Sequence, residues 1–223
     1  MKQKLMIRAA MKFFFGVILL GGMLFLSAGT FAFFNGWLFL GLLFVPMLML
    51  GVVLLIKSPS LLRKRLDAKE DEKTQKGVVA WTGLCMLVGF IVAGLDFRFG
   101  WSHLPPWLVA LSSLILLVSY ALYGEVMREN AYLSRTIEVQ EGQRVVDTGL
   151  YGIVRHPMYA VTIWLFLSFP LVLGSFFAFL CFLPYPFILV VRIRNEEKVL
   201  SDGLAGYTDY MKRVRYRLIP WVW

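Results

Sequence analysis

The run Tyr151-Gly-Ile-Val-Arg155-His156-Pro157-Met158-Tyr159 crowds an arginine, a histidine and two phenols against the start of a long apolar block. Where that block ends, Arg192 and the pair Glu196-Glu197 follow. Arg192 and Glu196 are four apart, so on a helix they share one face, the spacing of an ordinary ion pair. Charges at a membrane boundary are also functional candidates by default. Pro157 suits the first turn of a helix, where a missing N–H does no harm. His156 then stands at the helix entrance, where unsatisfied N–H groups favour anionic ligand groups. The plainer reading there is a capping histidine beside a snorkelling Arg155. Upstream, Glu138 to Gly149 reads as an extended, turn-rich loop, with Gly142 and Gly149 supplying backbone freedom and Val145-Val146 suiting an extended stretch.

Other chemistries lack their residues. No HExxH, CxxC, P-loop or GxGxxG pattern is present, and His103 and His156 are the only histidines. Cys85 and Cys181 both lie in apolar runs, which implies no disulfide framework and no metal centre. The net charge of +9 is compatible with nucleic acid, but the basic residues flank apolar spans. That arrangement fits membrane orientation and contact with anionic lipid headgroups, not nucleic acid.

The elements that must position these groups are membrane helices. Of 223 residues, 59% are hydrophobic, and they form blocks, not a 3.6-period stripe. Helices apolar all round belong in lipid or a deep core. Apolar spans run at roughly 13–33, 37–56, 78–95 and 107–127, each near the ~20 residues that cross a bilayer. The block 158–191 is too long for one crossing: a straight helix of about 34 residues reaches about 50 Å against a core of about 30 Å. Phe169-Pro170 and Gly174-Ser175 predict a break, giving a helical hairpin whose first arm is short. The expected fold is therefore all-α and integral to the membrane, with about six helices, the last two a hairpin. Residues 1–127 would form a four-helix region, and residues 128–223 a C-terminal region with the polar loop, the hairpin and a cytoplasmic tail.

The connections alternate in charge. With both termini cytoplasmic, every one of the 23 lysines and arginines except Arg98 falls inside, which predicts that orientation and a cytoplasmic site. The basic N-terminus and the small residues near Ser27 also resemble a cleavable leader, but a second span follows at once and suits a retained hairpin better. The connector at 64–77 alternates in charge and reads as a solvated helix or turn without chemistry. Tyr207, Tyr210, Tyr216, Trp221 and Trp223 read mostly as an aromatic interface belt.

Together, Val139-Gln140, Thr148-Gly149-x-Tyr151, Arg155-His156-Pro157-x-Tyr159, Arg192-x-x-x-Glu196-Glu197 and Gly206-Tyr207-x-x-Tyr210-x-x-x-Val214 resemble the isoprenylcysteine carboxyl methyltransferase family. The resemblance covers roughly 128–223. It implies an integral-membrane enzyme that uses S-adenosylmethionine on a lipophilic acceptor, by carboxylate O-methylation or by N-methylation of a lipid amine. By position it implies cofactor contacts at Gln140, Gln143, Arg144, Val145, Val146, Tyr151, His156, Pro157, Met158, Tyr159 and Glu196, and substrate contact at Arg192. Leu150 departs from the proline of many relatives, and the loop before residue 143 is shorter than in eukaryotic ones, so prenylcysteine specificity does not carry over.

The physics is compatible with this family. A sulfonium donor with an amino-acid tail needs a carboxylate, donors for its own carboxylate, and an apolar slot. Glu196, the backbone at His156 and Val145-Val146 are candidates for these. Methyl transfer mainly requires positioning of two reactants, and Arg192 can hold a carboxylate acceptor in a bidentate contact. Two other classes stay open. Membrane sterol reductases share RHPxY-like patterns, which leaves a nicotinamide-dependent reductase. A transporter or assembly factor should place polar residues near the midplane of several helices, which the spans between 13 and 127 lack.

Overall fold

A computed structural model describes residues 2–66, 73–134 and 137–223. Residues 67–72 of the charged connector, and Arg135 of the later loop, lie outside the described residues. The helices are α1 (Lys2–Ala28), α2 (Phe34–Lys57), α3 (Pro59–Leu66), α4 (Lys73–Phe99), α5 (Pro106–Glu129), α6 (Pro157–Val172), α7 (Phe176–Phe182), α8 (Pro184–Gly203) and α9 (Tyr207–Arg213). A 3₁₀ turn covers Gly149–Gly152. Among the described residues there is no strand.

Proline opens α3, α5, α6 and α8, where its fixed φ suits the first helical turn. α1 starts well before the apolar span read from the sequence, and its first turns carry Lys4, Arg8 and Lys12. Five helical stretches are long and apolar enough to cross a membrane, the last being α7 and α8 counted together as Phe176–Gly203. The 16-residue α6 is shorter than these.

The break expected between Phe169 and Ser175 falls at Leu173–Ser175. Gly174 there has φ +78°, a conformation that suits glycine. The Ser175 hydroxyl accepts from Ala178 N–H at 3.0 Å and so caps α7. Ser175 and Ser102 also donate to the carboxylate of buried Asp96. This ties the turn to the end of α4. α7 and α8 then return antiparallel to α6, bringing Arg192 and Glu196 back beside Tyr159.

Interlocked rings fill the middle of the molecule. Phe39 of α2 lies 5.0 Å from Phe169 of α6, and Phe90 of α4 lies 5.5 Å from Phe182 of α7, centroid to centroid. α1 and α4 touch through small residues, as helices do in lipid. A Cβ on Gly94 would stand 1.9 Å from Ser27 Oγ, 2.7 Å from Leu24 O and 2.9 Å from Ala28 N. The last two are backbone atoms that cannot step aside. Gly94→Ala is therefore expected to destabilise the fold by about 1–3 kcal/mol. Gly83→Ala, with nothing within 4 Å, should be neutral. Thermal unfolding of both variants in one detergent checks the pair; equal melting temperatures would contradict this packing.

Candidate functional site

Two networks join the start of α6 to α8 and to the C-terminal tail. The first centres on Glu197, whose side chain is only 8% exposed. Its Oε1 accepts from Arg155 Nε at 2.7 Å and lies 3.3 Å from His156 Nε2. Its Oε2 accepts from Arg217 Nε at 2.8 Å. Arg155 Nη1 also donates to the carbonyls of Val214 and Arg215, at 2.8 and 2.7 Å. The backbone N–H groups of Arg155 and His156 donate to Tyr216 O and Arg217 O, both at 2.9 Å. This network staples the C-terminal tail to the head of α6. It also corrects one expectation: the His156 N–H already serves Arg217 and is not a donor for a ligand carboxylate.

The second network faces a cavity. Tyr159 OH donates to Glu196 Oε2 at 2.6 Å and accepts from Arg192 Nε at 2.8 Å. Arg192 Nη1 donates to Gln75 Oε1 of α4 at 2.9 Å. The Tyr159 hydroxyl thus bridges the two charged residues that sequence spacing placed on one face. Among the described residues no lysine or arginine forms an ion pair with Glu196, whereas Glu197 has two.

The cavity has a volume of about 320 Å³, within the range of small-molecule sites. Gln143, Arg144, Val145 and Val146 of the loop line one side, with Tyr151. His156, Met158, Tyr159, Arg192 and Glu196 line another. Ten of the twelve residues singled out from the sequence therefore meet there. Gln140 and Pro157 are not on the wall. Gln140 braces the loop instead: its Nε2 donates to Tyr132 O at 2.6 Å, its N–H to Gln143 Oε1 at 2.8 Å, and its Oε1 accepts from Lys64. Pro157 is buried as the first residue of α6.

The loop is irregular, with a turn at Glu141–Gly142, and is pinned from three sides. Leu150 N–H donates to Glu129 Oε2 at 3.0 Å, a bond that proline at this position could not make. Gly149 has φ +52°, and a Cβ there would overlap the Glu129 carboxylate. Arg213 pairs with Asp147 at 2.9 Å, and Tyr210 OH donates to Tyr151 O at 2.8 Å.

Sequence reasoning missed part of the wall. Arg65 of α3, Val78 and Thr82 of α4, and Tyr123 of α5 also line the cavity, so Arg65 of the charged connector is not remote from the site. Tyr207 and Tyr210 are buried in the wall and are not part of an interfacial belt; Trp221, 86% exposed, remains compatible with one. Burial pushes the Tyr151, Tyr207 and Tyr210 hydroxyls well above the usual phenol range, so they are neutral. The cue for the two tail tyrosines was their three-residue spacing, which puts both on one helix face. Nothing marked Arg65 within its run of charges.

Residues 108–202 match the model of the isoprenylcysteine carboxyl methyltransferase (ICMT) family. Over this region the chain is similar to the ICMT family. The matched stretch runs from the start of α5 nearly to the end of α8. It takes in the loop, His156, Tyr159, Arg192 and Glu196, but not Arg65, Gln75, Tyr207 or Tyr210. A Delta(14)-sterol reductase of Mus musculus is 33% identical over 91 residues, 40% of this chain and 22% of that protein. The uncharacterized protein YpbQ of Bacillus subtilis (strain 168) is 32% identical over 97 residues, 43% of this chain and 58% of that protein. The matches thus span well under two thirds of the length of these curated relatives. In fold, the chain is similar to the eukaryotic intramembrane Ras methyltransferase ICMT, with a TM-score of 0.56 at 18% identity, over 92% of this chain and 73% of that one. The shared feature is the all-α, multi-pass membrane architecture.

Proposed function

We propose that the chain is an S-adenosylmethionine-dependent membrane methyltransferase acting on a lipophilic acceptor. The observation that carries this is Glu196: a cavity carboxylate without an arginine partner among the described residues, in a pocket walled by Val145, Val146, Leu204 and Tyr207. That donor set fits the cofactor, which needs an anion for its ammonium and an apolar slot for its adenine. When bound, S-adenosylmethionine would supply a methyl group on a sulfonium, transferred in line to an acceptor with S-adenosylhomocysteine as the leaving group. The protein's part is placement. Glu196 holds the ammonium, and Tyr159 fixes the rotamer of both Glu196 and Arg192. Arg192, braced by Tyr159 and Gln75, orients a carboxylate acceptor. Gln143, Arg144, Tyr151, His156 and Met158 complete the wall; Gln140 and Pro157 act by holding the loop and the start of α6. Glu197 is then structural, and Glu196 is the cofactor residue of the pair.

In this reading α6 is a sixth, short membrane segment, and the α6–α8 hairpin folds the two halves of the site onto one face. The distribution of lysine and arginine puts both termini and the cavity on the cytoplasmic side. Residues 128–223 carry most of the binding groups, and α3 and α4 close the cavity from the N-terminal side. A lipophilic acceptor reaches Arg192 laterally from the bilayer.

The test is incorporation of label from methyl-labelled S-adenosylmethionine into a membrane lipid extract by the purified chain. Label released by mild alkali identifies a methyl ester, and alkali-stable label a methylated amine. No incorporation, together with no binding of S-adenosylhomocysteine, would sink the proposal. A nicotinamide-dependent reductase is the second reading, favoured by the match to a sterol reductase. Protection of the chain from thermal unfolding by NADPH, but not by S-adenosylhomocysteine, would establish it instead.

A further inference from the structure

Arg65 stands on α3, outside the residues that match the family, yet its side chain reaches the same cavity. Its guanidinium lies over the Tyr123 ring, 5.6 Å from the centroid. Nε and Nη2 are both buried and meet no hydrogen-bond partner among the described residues. Leaving buried charged donors unpaired is strongly unfavourable. The position is nonetheless held firmly. Leu61 and Leu62 are buried beneath α3, Lys64 bonds to Gln140 of the loop, and Lys12 of α1 donates to Leu66 O at 2.5 Å.

The other wall cations differ. Arg155 is taken up by Glu197 and two carbonyls. Arg192 is engaged by Tyr159 and Gln75, and Arg144 is exposed at the rim. The wall's carboxylates are Glu138 and Glu196; neither forms an ion pair with Arg65 among the described residues. Nε and Nη2 form the side-on edge of the guanidinium fork. That edge matches the two oxygens of a carboxylate.

We infer that Arg65 is a ligand-binding residue, taking a carboxylate of the bound ligand side-on through Nε and Nη2. This rests on the methyltransferase reading for the ligand's identity. The carboxylate belongs either to the amino-acid tail of the cofactor or to the acceptor.

The experiment uses the purified full chain and two probe pairs. One pair is S-adenosylhomocysteine and its decarboxylated analogue; the other is an S-prenyl-N-acetylcysteine and its carboxamide. Wild type should prefer the carboxylate member of one pair by about tenfold to hundredfold. Arg65→Gln should erase that preference, and Arg65→Lys, which keeps charge but lacks the fork, should lose most of it. Loss in the first pair assigns the cofactor's carboxylate, and loss in the second the acceptor's. The ligand-free melting temperature of Arg65→Gln should equal or exceed that of wild type, because an unpaired buried charge is removed. Survival of the wild-type preference in Arg65→Gln, no preference in either pair in wild type, or a clear drop in ligand-free melting temperature in both variants would overturn the assignment. If wild type binds neither adenosine probe, the methyltransferase reading fails, and Arg65 is then judged on the prenylcysteine pair and the ligand-free melting alone.

Discussion

Glu196→Ala is expected to weaken S-adenosylhomocysteine binding by about tenfold to hundredfold, the worth of a charge-assisted hydrogen bond, while leaving the fold close to wild type. The side chain is 25% exposed and has Tyr159 OH as its close partner, so its removal strands no buried cation. Glu196→Gln sharpens the point. An amide oxygen still accepts from Tyr159, so the Arg192–Tyr159 geometry persists and only the negative charge goes. Loss of binding in both variants, by isothermal titration, identifies the charge as the binding element. Wild-type affinity in both would remove Glu196 from the site. Loss in alanine alone would assign it a positioning role through Tyr159.

The neighbouring residue should behave in the opposite way. Glu197→Ala is expected to destabilise the protein by about 3–5 kcal/mol, because it leaves buried charge without its partner. For a chain of this size that corresponds to a melting temperature lower by roughly 10 °C or more. Arg155 is the reason: its side chain is 6% exposed and would lose its carboxylate while still bound to two carbonyls. Arg217, 33% exposed on its side chain, recovers water more easily. The damage should appear first as release of the tail, since Glu197 joins α8 to Arg217 and, through Arg155, to Val214 and Arg215. Limited proteolysis near residues 214–217, compared with Glu196→Ala, checks this. An unchanged melting temperature and an uncleaved tail would contradict it.

These two carboxylates show where sequence reasoning stopped. Adjacent residues on a helix point about 100° apart, so one of Glu196 and Glu197 had to face away from any pocket. Which one depends on the rotation of α8 about its axis, set by the packing of Tyr185, Leu189 and Ile193, and no local motif reports that. The break at Leu173–Ser175 was legible because glycine, serine and proline act locally. The turns of the loop were legible for the same reason, through Gly142 and Gly149. Arg65 was hidden because a basic residue in a charged connector looks the same whether it faces water or a cavity. Tyr207 and Tyr210 were misread because buried wall tyrosines and interfacial ones share a composition. The backbone of His156 looked available because a tail some sixty residues away, not a neighbour, supplies its acceptor.

The proposed occupant of the cavity between the 143–146 loop and α8 is S-adenosylmethionine, and a structure of the full chain with S-adenosylhomocysteine is the decisive measurement. Ligand density is expected in this cavity, with the amino group within hydrogen-bond distance of Glu196 and the adenine against Val145 and Val146. Density elsewhere, or density here for NADPH but not for S-adenosylhomocysteine, would contradict it.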